Sequence, residues 1–442
     1  MTGAPGAEAR ATGPDIRVRG DTIEALGRLA PEPGERVIDA TDCVVYPGWV
    51  NTHHHLFQSL LKGVPGGINL PLVPWLGAVP SAYRRHFDAN LLRIAAEIGL
   101  AEMVLSGTTT VADHHYLYYP GIPYDGAAIL FDAAERFGVR FALLRGGNTV
   151  RRAFDGSGDP HLEPEPLDAF LADVERLVGR FHQRGPRALR QVVMAPTTPT
   201  WSCPPGELKA FARAARSLGI RLHSHLSETA DYVRYCRERY DTTPVEFVAR
   251  HEWLGADVWF AHMVHVSPSE IPLLAESKTG VSHCPQSNCR LGSGIAPVPA
   301  YAKAGVPVSL AVDGAASNEA ADMIGEAHTA WSIHRAVGGA DAVTVEDVVH
   351  WGTQGGARIL GLDEVGAIAP GLAADLVIYS LDHPRYAGLH DPAVGPVVAG
   401  GAAHVKHALC AGKTIVEDGA IPGFDLERLA HEARAAVRRM AV

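Results

Sequence analysis

Several histidines and two acids in this chain stand where runs of apolar residues stop, and their types suit a metal centre. The first such run ends PGWVNTHHH, with histidines at 53, 54 and 55. In an extended segment, residues two apart point the same way, so His53 and His55 face together and His54 faces away. A later run ends HSHLSE, placing His225 at its tip and Glu228 just beyond. Others end at His262 (FAH), His283 (SH) and Asp313 (AVDG). A single histidine at a strand end is usually a core residue bonded to backbone. A set of them in register with an acid is different, because polar groups in an apolar setting must be paired or coordinated. Three imidazoles and one carboxylate suit Zn²⁺, and next Fe²⁺. The cysteine-bearing zinc pattern, HxE with PCxxC, is missing, and Cys284 and Cys289 are spaced too widely to replace it.

The elements that must position these residues follow from the pattern between 44 and 312. Strand-like runs at 44–51, 108–112, 139–144, 191–195, 220–225, 258–262, 280–283 and 306–312 alternate with amphipathic segments such as 91–105, 167–181, 207–218 and 324–336. Eight βα units in this order predict a (β/α)8 TIM barrel, an α/β fold whose strand C-termini converge on one mouth. Strands buried on both faces explain near-continuous apolar runs such as VSLAV. The ends of the chain read differently. Residues 16–45 and 371–418 are short strands and turns, too small to bury a core alone. Together they predict a small β-sandwich, with 1–46 as its first part, 47–366 as the barrel, and 367–442 as its second part and a closing helix over 426–440. The loop at 62–80, rich in Gly and Pro, is long for a connection and is expected to cover the mouth.

Composition narrows the partners. The chain has 442 residues, 47% of them hydrophobic and 20% charged, enough for a large core plus a smaller module. A formal net charge of −10 argues against a nucleic-acid partner and for a small-molecule substrate. No apolar run approaches the ~18–20 residues that span a bilayer. The opening residues lack the basic and apolar pattern of a signal peptide. Six scattered cysteines without a CxxC pair read as reduced thiols of a cytoplasmic protein. A homo-oligomer is expected.

PGWVNTHHH, HLSE, AH and VDGAASN resemble the signature of the amidohydrolase superfamily in its nucleobase-deaminase branch, and LGLDEVGAIAPGLAADLVI is similar to the segment where such chains return from barrel to sandwich. The resemblance covers nearly the whole chain. It implies one divalent metal on His53, His55, His225 and Asp313, proton transfer by Glu228, and support from His262. Asn51 departs from the Asp that many members carry there. Strand 4 ends QVVMAPTTP without the Lys whose carbamate bridges two metals in binuclear members, so the mononuclear form is implied. Asp313 would take the proton of the attacking water and Glu228 would protonate the ring nitrogen; Glu228 doing both is the alternative. Finer motifs (NTHHHLFQSLLKG, VADHHYLYYPG, LRGG, HCPQSNCRL, VDGAASNEAADM) resemble the bacterial members that deaminate isoxanthopterin. They are less close to those acting on 8-oxoguanine and to triazine hydrolases. An inactive metal-binding relative and a dihydropyrimidinase-like amide hydrolase are the other readings; the full ligand set argues against the first and the missing Lys against the second. Candidate substrate contacts are Gln58, Trp75, His114, Tyr116, Arg145 and Asn288.

Overall fold

The first apolar run forms two strands, not one. The computed structural model, which describes residues 1–11, 15–151 and 163–440, breaks the expected strand 44–51 into Cys43–Pro47 and Trp49–Asn51, in different sheets. Gly48 is the break. A Cβ there would sit 2.2 Å from Thr109 Oγ1, so only glycine lets the chain pass from one sheet to the other at that point.

In chain order the strands are β1 (Asp15–Arg19), β2 (Thr22–Gly27), β3 (Cys43–Pro47), β4 (Trp49–Asn51), β5 (Thr108–His115), β6 (Arg140–Arg145), β7 (Arg190–Met194), β8 (Leu222–Leu226), β9 (Val258–His262), β10 (Gly280–His283), β11 (Val308–Leu310), β12 (Leu376–Ser380), β13 (Val405–Cys410) and β14 (Lys413–Glu417). Strands β4 to β11 form one eight-stranded parallel sheet in sequence order, with helices between them. This is the (β/α)8 barrel. The seam between β4 and β11 closes just past the strand ends. There His54 bridges Asp313 in parallel, and Asp313 N–H donates to His53 O at 3.1 Å. Asn51 also serves the seam: its Oδ1 accepts from Val312 N–H at 2.9 Å, a backbone donor that the three-residue β11 leaves unpaired.

Helix stops and starts carry the expected chemistry. Asp88 and Asp125 cap Ala89–Leu105 and Gly126–Phe137 by accepting from Leu91 and Ala128 N–H, and Gly138 and Gly219 end their helices in the left-handed conformation. The remaining strands make two antiparallel sheets, β1–β2 and β14–β13–β12–β3. The final helix, Leu426–Met440, returns to Ala89–Leu105, where Glu432 accepts from Arg93 at 2.9 Å. Below the mouth the barrel interior is polar: the buried hydroxyls of Thr52, Ser282 and Ser309 bond one another, Thr52 to Ser309 at 2.7 Å. Among the described residues, no helix is long and apolar enough to cross a membrane.

Candidate active site

Strand alternation sorts the three consecutive histidines. His53 and His55 point inward at the tip of β4, and their Nε2 atoms lie 3.3 and 3.2 Å from Asp313 Oδ1. His225, at the mouth end of β8, brings its Nε2 to 3.3 Å from His55 Nε2. His54 turns away and bonds the carbonyl of Asp313 at 2.6 Å. One ligand atom from each of His53, His55, His225 and Asp313 lies within 4.8 Å of the others, and all four residues are buried.

Proton positions follow from the partners. His55 Nδ1–H donates to His114 O and His225 Nδ1–H to Thr197 O, both at 2.7 Å. His53 Nδ1 bonds His223 Nε2 at 2.9 Å, and His223 Nδ1–H donates to Trp259 O at 3.1 Å. His53 is therefore the donor to His223. Each outer nitrogen is thus committed, and three Nε2 lone pairs converge on a carboxylate oxygen. Burial drives His53 and His225 well below the usual imidazole value and keeps them neutral. The fourth member, the Asp313 carboxylate, presents its Oδ1 to this cluster. Its other oxygen accepts from Ser287 at 2.6 Å and Ser317 at 3.1 Å. Acceptors facing acceptors at 3.2–3.3 Å need a cation between them. Imidazole nitrogens and a carboxylate oxygen are the donor types that zinc takes. The residues fit a divalent metal.

Beside the cluster, His262 Nε2 is 3.6 Å from Glu228 Oε2, and His262 Nδ1 bonds Asn288 Oδ1 at 3.0 Å. Ser227, His262, Met263 and Asp313 all have positive φ. Non-glycine residues pay conformational strain there, and such strain gathers where side-chain aim matters more than backbone comfort. The last residue of β9 and the residue carrying the acid are both aimed this way.

The cavity above the cluster is lined by His55, Gln58, Trp75, Tyr116, His225, Glu228, His262 and Asp313, together with Leu72, Leu76, Pro80 and Ser81 from the segment that begins at residue 62. Gln58 Nε2 donates to Tyr116 Oη at 2.9 Å. Three of the expected substrate contacts, His114, Arg145 and Asn288, are not among the residues that line the cavity. His114 lies under the cluster of His53, His55, His225 and Asp313, donating from Nε2 to Ala195 O at 2.9 Å and packing on His53 and His225. Arg145 lies fully buried between the rings of Tyr118 and Phe170 and is bound to Glu165 and Asp173 at 2.8 and 3.0 Å, a structural ion pair. Asn288 turns its Oδ1 to His262. His283 points outward to His334, Nε2 to Nε2 at 3.1 Å, because Ser282 takes the inward position. Sequence reading missed His223, although it stands two residues before His225 and so shares its face. It also missed Asn148, Thr197 and Thr198, which line the cavity from loops after β6 and β7 and carry no local pattern.

A model of the amidohydrolase family matches residues 44–415. The chain is 55% identical to an isoxanthopterin deaminase of an unknown prokaryotic organism, over 100% of this chain and 95% of that one. It is 39% identical to the 8-oxoguanine deaminase of Pseudomonas aeruginosa, over 94% and 92%. Its fold matches the zinc-complexed atrazine chlorohydrolase of Arthrobacter aurescens with a TM-score of 0.89 at 28% identity, covering 96% of this chain and 94% of that one.

Proposed function

The chain belongs to the amidohydrolase family, and from that premise we propose that it is a metal-dependent deaminase releasing ammonia from isoxanthopterin or a close pterin. The observation that carries the substrate is the gap in similarity: 55% identity end to end with an isoxanthopterin deaminase, against 39% with an 8-oxoguanine deaminase. Four cavity-lining atoms, Gln58 Oε1, Trp75 Nε1, Asn148 Oδ1 and Thr198 Oγ1, are buried without a protein partner. A planar ring with amino, carbonyl and ring-nitrogen groups on its edges would satisfy them, and a site built for such edges rejects analogues that leave its groups unpaired. Gly314 leaves room for Gln58 to take part, since a Cβ there would lie 1.9 Å from Gln58 Oε1.

His53, His55, His225 and Asp313 would hold the metal, zinc by the chemistry of the donors and by analogy with the zinc-complexed neighbour. A divalent ion there supplies a water acidified toward a pKa of ~7. Asp313 keeps one oxygen fixed by two serine hydroxyls and presents the other to the cluster, placed to accept the water's proton. Glu228 stands on the cavity wall beyond the ligands, placed to protonate the ring nitrogen beside the attacked carbon; the proton held by Asp313 would pass to the departing amine, and the remaining hydroxyl proton would return to Glu228. His262, oriented by Asn288, hydrogen-bonds the incoming oxygen. Six unpaired cysteines are in keeping with action in the cytoplasm.

The test is kcat/KM for isoxanthopterin, pterin, 8-oxoguanine and guanine under one set of conditions, followed as ammonia release. Isoxanthopterin is expected to lead. A tenfold preference for 8-oxoguanine, ~1.4 kcal/mol of transition-state binding, overturns the pterin assignment and leaves the deaminase standing. No ammonia from any of the four removes both.

A further inference from the structure

The cavity is narrow. The space left for the centres of water molecules is about 50 Å³, a handful of waters at roughly 10–15 Å³ each. Ligand sites commonly need about 300–1,000 Å³. A bicyclic ring therefore enters only if part of the wall moves. Leu72, Trp75, Leu76, Pro80 and Ser81 all come from one stretch, between Gly63 and Tyr83. Leu72–Leu76 is a short helix that runs into a π-turn at Gly77–Ser81 containing Pro80, a helix form found as single turns at functional positions.

Both ends of this stretch are anchored to the barrel. Before it, Lys62 pairs with Glu102. After it, Arg84 donates to Tyr118 O at 2.8 Å. Between the anchors, polar ties among the described residues cross the mouth to Glu319 and Arg290, outside the cavity. Glu319, in the loop after β11, accepts from Gly63 N–H at 2.7 Å, and Arg290, in the helix Pro285–Arg290 after β10, donates to Gly67 O at 3.3 Å. Arg290 and Glu319 pair with each other at 3.2 Å. Gly63 has φ +61°, and Glu319, a non-glycine, has φ +63°. The fold thus holds Glu319 in an unfavourable backbone state where its carboxylate meets both the stretch and Arg290.

We propose that residues 63–83 form a lid over the metal site, and that Glu319 and Arg290 are positioning residues that latch it shut. The proposal rests on the cavity being the substrate site. Substrate enters when the latch opens, and closure excludes water and brings Trp75 down on the ring. Neither latch residue touches the reacting groups, so breaking the latch shifts the balance of open and closed states without altering the chemistry of the closed one.

The experiment uses the metal-loaded full chain with Glu319→Ala, Arg290→Ala, Glu319→Gln and the double alanine variant. Two readouts are taken: backbone hydrogen exchange over 63–83, and steady-state kinetics on the best substrate. Loss of charge-assisted bonds of this kind corresponds to about a tenfold change. Exchange in 63–83 is expected to rise by about that factor in both alanine variants, with metal content unchanged. KM is expected to rise by a similar factor while kcat moves less than about threefold. The double variant should be no worse than the weaker single, because the two residues act as one latch. Glu319→Gln keeps one acceptor oxygen, for Gly63 or for Arg290, and should recover only part of the loss. Unchanged exchange in both alanine variants overturns the latch, as does a fall in kcat at constant KM. If no heterocycle is turned over, exchange still reads the latch, so failure of the deaminase reading and failure of the lid are separable.

Discussion

The two ends of the barrel bury charge in opposite ways. At the start of β6, Arg140 donates from Nε and Nη2 to both oxygens of Asp375 at 2.7 and 3.0 Å, and from Nη1 to Arg187 O. Asp375, just before β12, also accepts from Ala411 N–H at 2.7 Å, so the Arg140–Asp375 pair ties barrel to small sheet. Donors there meet acceptors and the group is complete. At the other end, three imidazole lone pairs and a carboxylate face one another with nothing of opposite character among them. Arg145 belongs to the first kind although it stands at the mouth end of β6, because Glu165 and Asp173 complete it. Position in the barrel therefore does not separate binding from structural charge; completeness of partners does.

The largest expected effect tests the incomplete end. Glu228→Gln should keep one metal per chain, since Glu228 is outside the donor cluster, and lose ~10²–10⁴ in kcat/KM, the usual share of a general acid–base group. Elemental analysis and kinetics on the same preparation check it. A variant within about threefold of the parent, or one that loses its metal, would remove Glu228 from proton transfer.

The complete end predicts a different symptom. Arg140→Met leaves Asp375 buried without its countercharge and should lower stability by about 3–5 kcal/mol. Activity per folded, metal-loaded molecule should be unchanged, since this group lies away from the cavity. Denaturant unfolding and kinetics below the transition read the two separately. Loss of kcat without loss of stability would show that the two ends are not independent.

Much of the incomplete end was legible in sequence, and for a definite reason. Strand alternation in PGWVNTHHH separated His53 and His55 from His54, and HSHLSE placed His225, because period-two geometry is local. The barrel followed from the order of apolar runs. What sequence missed was set by packing between distant elements. The split at Gly48 depends on Thr109. The fate of Arg145 depends on Glu165, Asp173 and two aromatic rings, none adjacent in the chain. Asn288 read as a substrate contact because its place after β10 was visible while its partner His262, on β9, was not. The loop at 62–80 was expected over the mouth from its Gly and Pro content, and residues within it line the cavity, but its ties to Arg290 and Glu319 were not legible.

Asp113 offers a finer test, since it is incomplete without belonging to the metal cluster. It lies fully buried on β5, with Oδ1 accepting from Leu56 N–H at 2.7 Å and Oδ2 without a partner. Burial pushes its carboxyl from 3.8 up to about 7, against the weaker pull of the Leu56 bond and His55. The folded chain then holds a proton that the unfolded chain has released between pH ~4 and ~7, so stability falls as pH rises through that window and is flat above it. Asp113→Asn keeps a carbonyl acceptor for Leu56 and cannot ionise. At pH 8 it should be more stable than the parent by about 1–3 kcal/mol, and the gap should close on lowering the pH toward 4. Unfolding midpoints of both proteins across that range, at saturating metal, check it. If the gap is absent at pH 8, or widens as pH falls, Asp113 is a satisfied carboxylate like Asp375, and unpaired atoms around the mouth lose their value as markers of incompleteness at that position.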